Sequence, residues 1–294
     1  MIHQTPLRDF VAACRVTDGA GFSLADRCTD DDGGLGLDKQ EGNGALKEAV
    51  SRISEQQERL YADARWSVLC IFQAPDAAGK DGAIKHVFSG VNPQGVQVES
   101  FGAPSTRERA HDFLWRHNIA LPRRGRIGVH NRSWYEEVLV ARVQHSILQA
   151  APLPASLVGP QIWAERLEDI AAHERYLARQ GMLILKFYLH LGEEEQRQRL
   201  LSRIDEPAKN WKFHSGDIAD RARRSEYMTA YNEAIRATAA PHAPWFVIPA
   251  DRKWLARLLV AEAVAEAMEA LDLQFPKLNP EARASLLRAR DLLA

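Results

Sequence analysis

Two glycines, a lysine and two carboxylates crowd into nine residues, Ala74-Pro75-Asp76-Ala77-Ala78-Gly79-Lys80-Asp81-Gly82, directly after an apolar run and before a helical pattern. The spacing matches most of the P-loop, Gly-x-x-x-x-Gly-Lys-Ser/Thr, in which backbone N–H groups cradle phosphates and the lysine reaches further phosphate oxygens. Ala74 stands at the first glycine and Asp81 at the hydroxyl position. Asp76 is the unusual member, because a carboxylate inside an anion nest is costly unless a cation or a proton transfer uses it. It can hold Mg²⁺, or orient and deprotonate an attacking phosphate. The plainer alternative is a turn in which Asp76 caps the next helix.

Two further basic segments suit the same chemistry. In Arg123-Arg124-Gly125-Arg126-Ile127-Gly128-Val129-His130-Asn131-Arg132-Ser133-Trp134-Tyr135 a strand pattern ends near His130. Asn131 and Arg132 then fall at the carboxyl edge of a sheet, where open α/β sheets bind ligands. Arg132 can offer a forked cation to a transferring phosphate. The alternative is a surface basic turn. In Arg203-Ile204-Asp205-Glu206-Pro207-Ala208-Lys209-Asn210-Trp211-Lys212 a proline breaks a helical pattern and two lysines flank a tryptophan, with Arg221, Arg223 and Arg224 following. Such a segment suits a lid over an anion, or else a solvated helix-loop-helix face.

Positioning these groups requires alternating elements. Apolar runs at 67–72, 96–101, 126–130, 183–189 and 245–248 read as strands. Helical patterns fall near 46–64, 80–90, 106–118, 135–149, 161–180, 193–204, 217–237 and 251–271. Strands alternating with helices of this length predict a parallel sheet covered on both faces. Ser105-x-x-Glu108 has the form of a capping box, and Glu193, Glu194 and Glu195 suit the positive end of a helix. Residues 1–45, broken by Asp30-Asp31-Asp32-Gly33-Gly34 and Gly42-Asn43-Gly44, predict a loosely packed N-terminal arm. One α/β domain over 46–272 follows, with a lid at about 203–224, and then a C-terminal helix within 273–294.

Composition narrows the function. The chain has 294 residues, 46% hydrophobic and 26% charged, with a formal net charge of −1. No global cationic field draws it to nucleic acid or membrane, so neither is an expected partner. The three cysteines fit no zinc or disulfide framework and predict a reducing, cytoplasmic setting. No histidine pair has zinc spacing. The apolar faces of the 161–180 and 251–271 helices predict association into a homo-oligomer.

Taken in order, these segments resemble the family-2 polyphosphate kinases over about residues 38–273, a family similar to thymidylate kinase in its P-loop kinase-like fold. Further carriers are Val91-Asn92-Pro93-Gln94-Gly95, Asp112-Phe113-Leu114-Trp115-Arg116 and Ala243-Pro244-Trp245-Phe246-Val247-Ile248-Pro249-Ala250-Asp251-Arg252-Lys253-Trp254. The resemblance implies Mg²⁺-dependent in-line phosphoryl transfer, with Mn²⁺ as a substitute, between inorganic polyphosphate and purine nucleotides such as AMP, ADP, GMP and GDP. It implies that Asp76 orients the accepting phosphate and binds metal. Lys80 and Arg132 would hold the transferring group, and Arg203, Lys209 and Lys212 would form the lid. Ala77, Ala78, Gly79, Asp81, Gly82, Asn131 and Glu136 complete the implied substrate contacts. Gln73, Asp81 and Glu136-Glu137 resemble the third class of the family, which accepts mono- and diphosphates. Asn131 departs from the Asp of many members, and Arg224 from their usual Trp. An ATP-dependent small-molecule kinase of the same fold is the rival reading, disfavoured by Asp81 in place of a metal-binding hydroxyl.

Overall fold

The computed structural model describes residues 4–294. Six strands form one sheet: β1 Arg15–Val16, β2 Ser67–Gln73, β3 Val96–Ser100, β4 Ile127–Asn131, β5 Met182–His190 and β6 Trp245–Pro249, in the order β1-β6-β5-β2-β4-β3. The five expected strands pair in parallel. The sheet is nevertheless mixed, because β1 pairs antiparallel with β6 through Arg15↔Phe246 and Val16↔Trp245. Two residues carry no periodicity, so this edge strand is invisible to pattern reading.

Every residue of β2 is buried, which explains its unbroken apolar run. Val68, Cys70 and Phe72 face one core with the helices Lys39–Asp63 and Lys253–Glu269. Leu69 and Ile71 face the other, with the helices Ile162–Arg179 and Arg224–Thr238. The Lys39–Asp63 helix starts seven residues before the expected 46, because Asp38 and Glu41 form a capping box ahead of it. The expected helices at 106–118 and 217–237 are each broken, into Thr106–Arg109 with Trp115–Asn118 and Gly216–Ala222 with Arg224–Thr238. The 135–149 stretch is likewise a chain of short turns, Trp134–Glu137, Val140–Val143 and His145–Gln149. The Ser105/Glu108 capping box is formed.

Two expectations are corrected. The N-terminal arm is packed rather than loose in its described part: Leu7, Phe10, Val11 and Cys14 of the helix Gln4–Cys14 join the larger core. Residues 1–3 of that arm lie outside the described residues. The apolar face of the Lys253–Glu269 helix is covered within the chain, packed on Lys39–Asp63 and buried at Leu255, Leu258, Leu259 and Val264, so it is not free for association. Unpartnered leucines lie instead on the helix Pro280–Leu293, where Leu286, Leu287, Leu292 and Leu293 are exposed. Among the described residues no helix is long and apolar enough to cross a membrane.

Candidate active site

Chain direction across the sheet reverses around β2. The connection from β2 passes over β4 to β3 on one side, and the one from β4 crosses back to β5 on the other. A crevice opens at the carboxyl ends of strands at such a point. Residues 74–79 leave β2 into it and Asn131 and Arg132 leave β4. Three backbones there adopt the left-handed region: Ala77 (φ 65°), Gly79 (φ 101°) and Arg132 (φ 66°). A non-glycine residue held in this conformation costs energy that surrounding contacts must offset, and such residues gather at ligand sites.

The three expected chemical groups meet. Arg132 Nη2 donates to Asp76 Oδ1 at 3.3 Å and Arg132 Nη1 to Glu136 Oε2 at 3.1 Å. Glu136, followed by Asp76, holds the guanidinium above its ordinary pKa against a burial cost. Lys80 Nζ donates to Ala74 O at 2.9 Å. Burial, followed by repulsion from Arg132, pushes its ammonium below the usual lysine range. An anion between the two cations reverses both penalties. Asp81 accepts from Asn131 Nδ2 at 2.8 Å, linking the loop to the end of β4. Turned so that its nitrogen faces Glu136, the orientation that satisfies both of its ends, the buried amide of Gln73 donates to Glu136 Oε1 at 2.9 Å and accepts from Ser133 N at 3.2 Å, fixing the carboxylate that holds Arg132.

Two cavities flank this cluster. One, of about 450 Å³, is lined by Ala77, Ala78, Gly79, Asp81 and Gly82 of the loop and by Arg203, Lys209 and Lys212. Lys253 and Arg257 share its wall. Burial first, and then repulsion from Arg199, lowers the pKa of both, so positive charge accumulates in the groove, offset in part by Glu195 on the same wall. The lid cations differ in their partners: Arg203 pairs with Asp217 Oδ2 at 2.9 Å, Lys209 with Glu206 Oε1 at 2.6 Å and Ser202 Oγ at 2.8 Å, while Lys212 lies over the ring of Trp211, which is 75% exposed. The other cavity, of about 440 Å³, begins at Asp76, Arg132 and Glu136 and runs to apolar walls at Val140, Ala141, Ile147 and Met228. All predicted site residues therefore border one of the two cavities or, like Lys80 and Asn131, bond to a residue that does.

Arg199 escaped the sequence reading. It is 6% exposed and donates to Ala77 O, Ala78 O, Ala250 O and Asp251 O at 3.3, 2.8, 2.7 and 2.9 Å, tying the loop to the end of β6. Gln196 Nε2 reaches Asp76 O at 3.1 Å. The signal was present in Gln196, Arg199 and Arg203, which share one face of the helix Glu193–Asp205 at helical spacing.

The donor chemistry fits a hard divalent cation. The Asp76 carboxylate is 25% exposed and lines the half-apolar cavity together with Glu136, while Asp81 lines the basic groove. Among the described residues no three His, Cys, Asp or Glu side chains converge into a metal cage. Mg²⁺ commonly takes one or two carboxylates and completes its shell with waters and substrate phosphates.

A family model described as Polyphosphate kinase 2 matches residues 36–276. The chain is 49% identical over 249 residues to an ADP-polyphosphate phosphotransferase of Rhodopseudomonas palustris, spanning 84% of this chain and 86% of that one. It is 44% identical over 263 residues to an AMP/ADP-polyphosphate phosphotransferase of Meiothermus ruber, spanning 90% and 94%. The crystal structure of a polyphosphate kinase 2 from Arthrobacter aurescens TC1 superposes with a TM-score of 0.82 at 36% identity, covering 93% of this chain and 96% of that one.

Proposed function

The chain belongs to the polyphosphate kinase 2 family, and we propose that it moves a terminal phosphoryl group from inorganic polyphosphate to nucleoside mono- and diphosphates, making ADP and ATP from AMP and ADP. One observation carries this reading. Asp76 and Arg132 line a half-apolar cavity suited to a nucleotide, and the same loop, with Lys80 at its end, continues through Ala77, Ala78 and Gly79 into the wall of a basic groove suited to a phosphate chain.

In the proposed step an oxygen of the nucleotide's last phosphate attacks the end phosphorus of the chain. A new P–O bond forms, the bridging P–O bond breaks, and polyphosphate leaves one unit shorter. Asp76 aligns the attacking oxygen and takes any proton it carries. Lys80 and Arg132 neutralise charge on the moving group, which is most of what phosphoryl transfer asks of a protein. Arg203, Lys209 and Lys212 hold the donor chain, with Ala77, Ala78, Gly79 and Gly82 offering backbone to it. Mg²⁺, or Mn²⁺, bound by Asp76 would supply further charge neutralisation on the phosphates. Acceptors extend to GMP and GDP as purine nucleotides, and the cytoplasm is the proposed setting, consistent with three free cysteines. Association through the exposed leucines of the Pro280–Leu293 helix is proposed in place of the helices Ile162–Arg179 and Lys253–Glu269, whose apolar faces are covered within the chain.

The test is direct. Purified protein is incubated with polyphosphate, Mg²⁺ and each of AMP, ADP, GMP and GDP in the absence of ATP, and products are resolved by ion exchange. New di- and triphosphates are expected, and their absence with every acceptor would reject the assignment.

A further inference from the structure

The half-apolar cavity holds one polar group whose direction is fixed by its neighbours. Gln144, at the junction of the helices Val140–Val143 and His145–Gln149, lies on the cavity wall with Asp220 and Tyr227. Its Nε2 donates to Asp220 Oδ1 at 2.8 Å and to the Tyr227 hydroxyl at 3.3 Å. That hydroxyl spends its own proton on the same Asp220 Oδ1 at 2.9 Å. Burial raises the phenol pKa well above its ordinary value, which keeps the proton in place. A carboxylate only accepts, and a phenol already donating to it has only lone pairs left for the amide. The amide therefore has one orientation: nitrogen toward Asp220, oxygen away from it. Among the described residues Gln144 Oε1 accepts no hydrogen bond.

The surroundings decide what that oxygen meets. The phosphate end of the cavity lies at Asp76 and Arg132, and Val140, Ala141, Ile147 and Met228 wall the end around Gln144. Apolar walls with a few directed polar groups are how a flat heterocycle is held and told from its relatives. A free amide pairs with adenine by both accepting and donating. Here the donor half is consumed, so Gln144 presents an acceptor alone. An exocyclic amino group satisfies it, whereas an oxo group at the same ring position sets two oxygens against each other.

On the reading of this cavity as the acceptor site, we propose that Gln144, locked by Asp220 and Tyr227, recognises the exocyclic amino group of adenine and makes the enzyme prefer adenine nucleotides to those carrying an oxo group there. Guanine and hypoxanthine nucleotides remain substrates of lower efficiency. Asp220 and Tyr227 act as positioning residues, since they set the amide rather than touch the base.

AMP and IMP differ at this ring position and are the sharpest pair of probes. Two measurements on the full chain decide the matter: kcat/KM with polyphosphate as donor, and Kd by calorimetry without donor. Wild type is expected to favour AMP on the order of tenfold or more, the size of one good base contact. Gln144→Leu keeps the volume but removes the acceptor, and should bring the two nucleotides within about twofold of each other. Asp220→Asn offers Gln144 both a donor and an acceptor, which frees the amide to turn, so the preference should also shrink. The AMP/IMP ratio is taken within each variant, so a loss of overall folding cancels. Equal handling of AMP and IMP by wild type, or full retention of the preference in Gln144→Leu, overturns the proposal. Activity with equal ratios sinks the base assignment but leaves phosphotransfer standing. A preserved Kd ratio without turnover does the reverse.

Discussion

His117, His130 and His190 are 0%, 0% and 7% exposed, and each keeps a ring nitrogen without a hydrogen-bond partner among the described residues. His117 lacks a partner on both nitrogens and packs among Phe101, His130 and Trp134. Burial is the leading cause that pushes its pKa down from 6.5 to about 2, and those of His130 and His190 to about 4. The sign follows from linkage. A base whose folded pKa is depressed binds its proton more readily when unfolded, so stability is full above the unfolded value and falls as pH drops below it. At about pH 5 each ring lies about 1.5 units below the unfolded pKa, and one unit corresponds to about 1.4 kcal/mol, giving about 2 kcal/mol apiece. Three rings bring the loss between about pH 7.5 and pH 5 to about 6 kcal/mol, comparable with the whole stability of many domains. Urea denaturation at several pH values reads this directly, with about three protons taken up on unfolding at the acid end. In His117→Phe the neutral-pH stability should hold or rise, because two unpaired nitrogens leave the core, and the acid loss should shrink by about 2 kcal/mol. A flat stability profile to pH 5, or an unchanged slope in His117→Phe, would refute the reasoning.

Other outcomes follow from the site. Asp76→Asn should lower kcat by about 10²–10⁴-fold, while its partly exposed carboxylate leaves the denaturation midpoint nearly unmoved; wild-type-like turnover would remove its assigned role. Arg199→Met discards four carbonyl contacts in one step and should cost about 3 kcal/mol of stability, together with a higher KM for polyphosphate as the loop loosens; unaltered denaturation and KM would show the clamp to be dispensable. The double variant Lys209→Ala, Lys212→Ala should raise the KM for polyphosphate and flatten its dependence on salt, with little change in the KM for nucleotide. Equal effects on both substrates would argue against a donor-side lid.

Much of this arrangement was legible because its signals are local. The run at 67–72 is apolar on both faces of β2, and Gly79-Lys80 sits at the strand-to-helix turn where backbone N–H groups point outward. Arg132 was placed by the end of one strand alone. What stayed hidden depends on contacts distant in the chain. Arg199 looks like one more arginine in a charged helix until β6 supplies Ala250 and Asp251 carbonyls 51 and 52 residues away. β1 is too short to show a period, and its pairing exists only because β6 offers an edge. The breaks at Ala110 and Arg223 arise without proline or glycine, and in the first Asp112 Oδ1 accepts from Leu114 N at 3.0 Å, a local turn that competes with the helix. The N-terminal helix was masked by the glycine-rich stretch after it, although Leu7, Phe10, Val11 and Cys14 follow helical spacing.

In the proposed reaction phosphate passes from the basic groove to the nucleotide cavity across Asp76. Polyphosphate carrying a radioactive label in its phosphoryl groups, mixed with unlabelled ADP and Mg²⁺, tests it most directly. Label is expected in the terminal phosphate of newly made ATP with wild type, and almost none with Asp76→Asn. Label released only as inorganic phosphate, or ATP formed without label, would contradict it.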